Sequence, residues 1–291
     1  MILIFGAGGQ LGQELQRSAA AKALPYRALS HAEVDIADAA AVSRVLNETR
    51  PSLVVNAAAY TRVDLAEKET EAARLGNEIG PGVIAVACAA REAPLIHIST
   101  DYVFDGAKSG PYVESDPLAP LGVYGRTKAA GEAAVRKAMK RHIILRTSWV
   151  YGEFGNNFLK TMLRLARERD ELRVVADQLG CPTSTRDIAE AILRIAPSLE
   201  GDADLYGVYH FSGAGATSWH GFATRIIEAQ AEVTGRRPQV VAIATADYPT
   251  PARRPANSVF DCSRFEQTFG FSARNWSEEA DAIAKLLAGK R

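Results

Sequence analysis

Four apolar residues, Ile2-Leu3-Ile4-Phe5, run straight into Gly6-Ala7-Gly8-Gly9-Gln10-Leu11-Gly12. Beyond them the chain becomes helix-forming through Glu14-Leu15-Gln16-Arg17 and an alanine-rich stretch. Strand, glycine turn and helix in that order open a parallel α/β sheet. Glycines at 6, 9 and 12 permit a tight turn, close backbone approach to a pyrophosphate and close helix-to-strand packing, with the helix N-terminus facing the phosphate charge. The spacing is G-x-x-G-x-x-G, a departure from the dinucleotide fingerprint G-x-G-x-x-G. An ordinary glycine-rich turn would use the same residues, and the buried strand directly before it favours the phosphate-binding reading.

Short apolar runs recur at 26–29, 52–55, 94–98 and 142–146, separated by helix-like segments. That alternation predicts a doubly wound parallel sheet, which delivers function at the carboxyl ends of its strands. Asn56-Ala-Ala-Ala-Tyr-Thr61 follows the third run, Ser99-Thr100-Asp101 the fourth, and Arg146-Thr-Ser-Trp149 the fifth. Tyr124 and Lys128 stand four apart in a helix-forming segment, so both project from one face. An ammonium beside a phenol favours phenolate and lowers its pKa from about 10 toward the range of a working general acid. The pair alone is equally an exposed helical lysine near a tyrosine; the three strand ends and the glycine turn meeting at the same cleft make it catalytic.

At the end of the second strand, where an NAD site carries an acid for the ribose 2′-hydroxyl, the sequence reads Leu29-Ser30-His31. Glu33 falls slightly late, and Asp35-Ile36 are read as flanking the adenine. The expected cofactor is therefore NADPH, with NADH tolerated.

After Trp149 the pattern loosens. An amphipathic helix is expected over 159–169, a strand over 172–175, a polar turn at 177–183, a helix over about 185–196 and a strand at 207–211 that rejoins the sheet. The expected fold is α/β, a doubly wound Rossmann sheet (1–150 plus roughly 184–212) with a smaller interwoven α/β substrate lobe (151–183 plus 213–291). Arg253-Arg254 beside Pro255 can grip a diphosphate, or form a solvated charged loop.

With 34 basic and 34 acidic side chains the chain has no global field for nucleic acid, and no apolar run approaches membrane length. The N-terminus lacks a basic leader, and Cys88, Cys181 and Cys262 lie far apart, so free thiols and a cytoplasmic location are expected. His31, His97, His142, His210 and His220 are dispersed, and His97 reads as a core imidazole. No metal-ligand spacing, phosphate-binding Gly-Lys loop or serine nucleophile elbow appears.

Seven segments carry a family resemblance across nearly the whole chain. They are Gly6 to Gly12, Asn56 to Asp64, Ser99 to Gly106, Tyr124 to Lys128, Arg146 to Gly152, Asp177 to Thr183, and Arg254 to Asp261. Together they resemble the dTDP-4-dehydrorhamnose reductases, a branch of the extended short-chain reductases, in which this glycine spacing occurs. The resemblance implies reduction of the C4 ketone of dTDP-4-dehydro-L-rhamnose by nicotinamide hydride, the last step toward dTDP-L-rhamnose. It implies Tyr124 as proton donor, Lys128 as the residue that lowers its pKa and holds the nicotinamide ribose, and Thr100 as carbonyl-orienting. Asp101, Tyr102, Trp149, Arg254 and Asn257 would meet the sugar nucleotide. Gly6, Gly9, Gln10, Leu11, Gly12, Asp35, Ile36, Ala59, Tyr60 and Thr61 would line the cofactor. Some members pair through a magnesium site of glutamates; Glu14 matches one, but Arg186 stands where such members carry an acid, so no metal is expected and the oligomeric state stays open between monomer and weak dimer. Two rivals are a reductase of another nucleotide-linked 4-keto-6-deoxy sugar, such as one giving 6-deoxy-L-talose, and a dinucleotide-binding regulatory subunit like the methionine adenosyltransferase beta subunit.

Overall fold

The computed structural model describes residues 1–200 and 205–290. The sheet half of the chain runs β1 (Ile2–Phe5), α1 (Gln10–Ala21), β2 (Tyr26–Leu29), α2 (Ala39–Thr49), β3 (Leu53–Asn56), α3 (Val63–Ala66), α4 (Thr70–Arg74), a π-helical segment Leu75–Ile79, α5 (Gly80–Ala89), β4 (Leu95–Thr100), α6 (Val123–Ala138) and β5 (His142–Thr147). The remainder is β6 (Val150–Tyr151), α7 (Phe158–Glu168), β7 (Glu171–Val175), β8 (Leu179–Gly180), β9 (Thr183–Ser184), α8 (Thr185–Ile195), β10 (Gly207–His210), β11 (Thr217–Ser218), α9 (Trp219–Thr234), β12 (Gln239–Ile243), β13 (Asn257–Ser258), α10 (Ser263–Phe269) and α11 (Trp276–Gly289). The principal sheet has the order β10-β5-β4-β3-β1-β2, all parallel.

Apolar runs become strands here because helices cover both faces of the sheet, leaving no solvent side to demand alternation. Successive β1 residues go to opposite cores. Ile2 and Ile4 pack with Leu15 of α1 and with Ile188 and Ile192 of α8. Leu3 and Phe5 pack with Val42 and Val45 of α2 and with Ile84 and Ala85 of α5. Each buried aliphatic side chain contributes about 1.5–3 kcal/mol. The chain leaves β1 for β2 on one side and returns past β1 to β3 on the other, so the order reverses between β1 and β3. Open α/β sheets take their ligands in the crevice at such a reversal, beyond the carboxyl ends.

The second core gathers Leu159, Met162 and Leu163 of α7, Leu172 and Val174 of β7, Phe222 and Ile226 of α9, and Ile283 of α11. α7 starts where the Asn157 side chain accepts from the Lys160 amide (3.0 Å), and α9 where Ser218 accepts from Gly221 (3.0 Å). β7 pairs with β12 in parallel, beside the principal sheet and not within it. Among the described residues, no helix is long and apolar enough to cross a membrane.

Candidate active site

The glycine turn is shaped by contact. Gly6 has φ +90°, and a Cβ there would lie 2.6 Å from the Ala58 amide at the end of β3; a Cβ on Gly12 would collide with the Gly6 carbonyl. Gly9 precedes α1 with no side chain to cap it, so the first-turn amides stay open toward the crevice. These features fit a dinucleotide's pyrophosphate. Leu11 is buried in the core beneath, so only its backbone faces that position. Gln10 accepts from Asn157 Nδ2 (2.9 Å), which ties the turn to the second lobe.

Across the crevice, Ala59 and Thr61 are exposed. Tyr60 is anchored by a residue the sequence did not single out. Asn77, fully buried in the π-helical segment, accepts from the Tyr60 amide (2.9 Å) and donates to the Tyr60 carbonyl (3.0 Å) and to Thr127 Oγ1 (3.3 Å). Such π segments recur at functional sites, but nothing in the apolar pattern marks one. Ile36 is buried, whereas Asp35 is exposed and accepts from the Ala37 amide (2.9 Å).

Thr100 ends β4 and Tyr124 opens α6. They meet because the first turn of α6 carries a glycine: a Cβ on Gly125 would strike the Tyr102 carbonyl and push the helix away. Thr100 Oγ1 donates to Asp101 Oδ1 (3.0 Å) and accepts from the Tyr102 amide (3.3 Å). The Tyr102 and Tyr124 rings pack edge to face at 5.4 Å. Beneath them, Glu132 accepts from Ser99 Oγ (2.6 Å) and from Arg146 Nε (2.9 Å) and Nη2 (2.7 Å). All three side chains are buried, so this network rivets α6 to β4 and β5. Breaking a buried pair of this kind costs about 3–5 kcal/mol.

One expectation is corrected. Burial pushes the Tyr124 phenol up to about 12, above and not below its ordinary value, partly offset by the Thr100 hydroxyl. The Lys128 ammonium instead donates to the Ile98 carbonyl (2.7 Å), and its own pKa is brought down to about 8 by burial. Asp101 is buried, with Oδ2 unpartnered, and burial pushes its carboxyl up to about 6.

A cavity of about 450 Å³ adjoins this group, walled by Tyr102, Phe158, Leu172, Trp219 and Arg254. Trp149, in left-handed backbone at φ +48°, stacks on Trp219 at 3.6 Å; Trp219 was not foreseen. Of the adjacent arginines, Arg254 lines the cavity and Arg253 is exposed outside it. Arg254 is also already paired, donating to both oxygens of Asp64 (3.1 and 2.9 Å). Arg169 and Arg173 line the same cavity and form no ion pair among the described residues. Asn257 is engaged elsewhere: its amide donates to the Lys108 and Gly110 carbonyls (2.7 and 3.0 Å) and accepts from Val259, so it fixes a loop.

His97 is a buried, neutral core imidazole, accepting at Nδ1 from Asn56 (3.1 Å), with its pKa held well below the usual value by burial. Cys88 and Cys181 are buried free thiols, and Cys262 is a partly buried one. Glu14 accepts from Arg17 (2.7 Å), and Arg186 donates to Glu153 (2.6 Å).

Residues 1–288 match the family model described as the RmlD substrate binding domain. A dTDP-4-dehydrorhamnose reductase from Sinorhizobium fredii is 46% identical over 293 residues, covering 99% of both chains. The chain belongs to the dTDP-4-dehydrorhamnose reductase family. A solved member of that family from Clostridium acetobutylicum superposes with a TM-score of 0.92 at 39% identity, covering 98% of this chain and 99% of its own. Another, from Bacillus anthracis and solved in complex with NADP, gives 0.90 at 37% identity, covering 97% of each chain.

Proposed function

We propose that this chain reduces the C4 ketone of dTDP-4-dehydro-L-rhamnose to dTDP-L-rhamnose with NADPH, NADH being accepted. The observation that carries the reading is Tyr102, whose ring packs on that of Tyr124 and also lines the cavity that holds Arg169, Arg173 and Arg254. The nicotinamide supplies the hydride. Tyr124, kept protonated by burial at neutral pH, gives its proton to the C4 oxygen as negative charge develops there. Thr100 Oγ1 orients that oxygen, and Lys128 holds the nicotinamide ribose. With its pKa brought to about 8, the Lys128 ammonium is charged at neutral pH and becomes neutral in mild alkali.

Gly6, Gly9, Gln10, Leu11 and Gly12 would hold the pyrophosphate through backbone, while Asp35, Ile36, Ala59, Tyr60 and Thr61 line the rest of the cofactor. Asp101, Tyr102 and Trp149 would face the sugar. Arg254, with Arg169 and Arg173, borders the space for the nucleoside diphosphate. The cofactor domain is read as 1–150 with 184–212 and the substrate lobe as 151–183 with 213–291, in a cytoplasmic enzyme. Incubation with dTDP-4-dehydro-L-rhamnose and NADPH tests the reading. Oxidation of the cofactor together with an NMR spectrum of the L-rhamno product supports it; a 6-deoxy-L-talo product or no turnover defeats it.

A further inference from the structure

The helix that carries Tyr124 and Lys128 begins without a cap of its own. Gly122 precedes α6 in extended backbone and has no side chain to accept from the first-turn amides. The acceptor comes from elsewhere in the chain. Glu67, half-buried just after α3, reaches across 56 residues so that its Oε1 accepts from the Val123 amide (2.8 Å). Gly122 makes room for it, since a Cβ there would lie 2.6 Å from that same Oε1. A carboxylate at this end also meets the positive pole of a 16-residue helix.

Tyr124 is thereby held from both sides. The residue before it is fixed by Glu67, and the residue after it, Gly125, packs on the Tyr102 carbonyl. The Glu132 network pins the same helix only about two turns further along, past the end where helices fray. Acids on either side of Glu67 reach other walls of the site: Asp64 accepts from the Ala252 amide (3.2 Å) as well as from Arg254, and Glu69 accepts from the Tyr60 hydroxyl (2.6 Å).

We propose that Glu67 is a positioning residue for the proton donor: capping α6 from the end of α3, it holds the Tyr124 phenol beside Thr100 in the geometry that proton transfer needs. This rests on Tyr124 as the proton donor and adds the group that places it. Because Glu67 acts on the helix start, its loss slows the chemical step and leaves binding in place.

The test is steady-state kinetics with dTDP-4-dehydro-L-rhamnose, beside NADPH titration, on Glu67→Ala, Glu67→Gln and Gly122→Ala. In Glu67→Ala, kcat is expected to fall about tenfold while KM for the sugar nucleotide and NADPH affinity stay within about twofold. Glu67→Gln, which keeps an acceptor for Val123, should recover most of the loss. Gly122→Ala puts a Cβ against the carboxylate and should reproduce the loss with Glu67 intact; the double variant should be no slower than the slower single one, since both remove one contact. Wild-type kcat in Glu67→Ala, a Glu67→Gln as slow as Glu67→Ala, or parallel losses of kcat and NADPH affinity overturns the proposal. If Glu67→Ala does not fold, Gly122→Ala decides alone: a lower kcat at unchanged NADPH affinity supports the proposal, and wild-type kcat overturns it. Wild-type turnover in Tyr124→Phe would instead defeat the proton-donor reading, a result distinguishable from these.

Discussion

At the carboxyl end of β1 the donors prepared for negative charge are backbone amides, fixed by the sheet and by Gly6 and Gly12, where a Cβ would strike backbone. Around the lobe's cavity they are arginine side chains, one of which, Arg254, is already held by Asp64 from the other half of the molecule. Backbone donors cost no side-chain ordering and offer little to tune, whereas a guanidinium in an ion pair must be shared or released when phosphate arrives. One site is rigid and general; the other is adjustable and selective.

The sharpest way to separate both anion sites from the chemistry is Tyr124→Phe. Turnover is expected to fall about 10²-fold or more while NADPH and dTDP bind nearly as before. Titration of each ligand beside single-turnover rates checks this, and wild-type turnover would remove Tyr124 as proton donor. Gly12→Ala addresses the rigid site. Since a Cβ there meets the Gly6 carbonyl, NADPH affinity should drop at least tenfold with dTDP affinity unmoved, as read by calorimetry with each ligand.

Arg254→Ala is the counterpart in the lobe. KM for the sugar nucleotide should rise about tenfold with NADPH affinity unchanged, and equal losses at both sites would mean the Asp64 pair holds the lobes together more than it serves phosphate. Lys128→Met sits at the boundary. Because burial brings Lys128 to about 8, wild-type turnover should decline as pH rises through that value, and the methionine variant, slower throughout, should lack that limb. An unchanged limb in Lys128→Met would assign it to another group.

The smallest effect is on stability. Burial holds His210 neutral down to about 3, so the unfolded chain takes up its proton first, and stability should fall as pH drops from 6.5 toward 3. His210→Gln should flatten that part of the curve in chemical denaturation.

The rigid region was readable as a unit, whereas in the adjustable one single residues such as Arg254 and Trp149 were readable and their partners were not, for a physical reason. Parallel strands buried on both faces leave continuous apolar runs, and the glycine turn and the Tyr124-Lys128 spacing are local, so each is complete within a few neighbouring positions. Asp64 and Arg254 are 190 residues apart, Asn77 reaches Tyr60 from 17 away, and Trp149 finds Trp219 only after the chain has crossed the sheet again. No spacing rule spans such distances. Helical spacing likewise gives Tyr124 and Lys128 a shared face, whereas the Ile98 carbonyl that claims the ammonium comes from strand β4, 30 residues away in the chain.

Glu153 draws Arg17 of α1 (2.6 Å), Arg186 of α8 (2.6 Å) and Lys290 beyond α11 (3.4 Å) onto one carboxylate. Burial alone would raise that carboxyl, yet Arg17 and Arg186 hold it down at about 2. Its neutralisation would leave Arg17 to Glu14 (2.7 Å) and Arg186 to Glu279 (3.7 Å) alone and take from Lys290 its ion pair, while loss of any single cation leaves two on Glu153. Mutational effects at these four positions will therefore depend strongly on one another, and divergence among descendants of this chain should proceed by paired exchanges of opposite charge, each tolerable only after its partner.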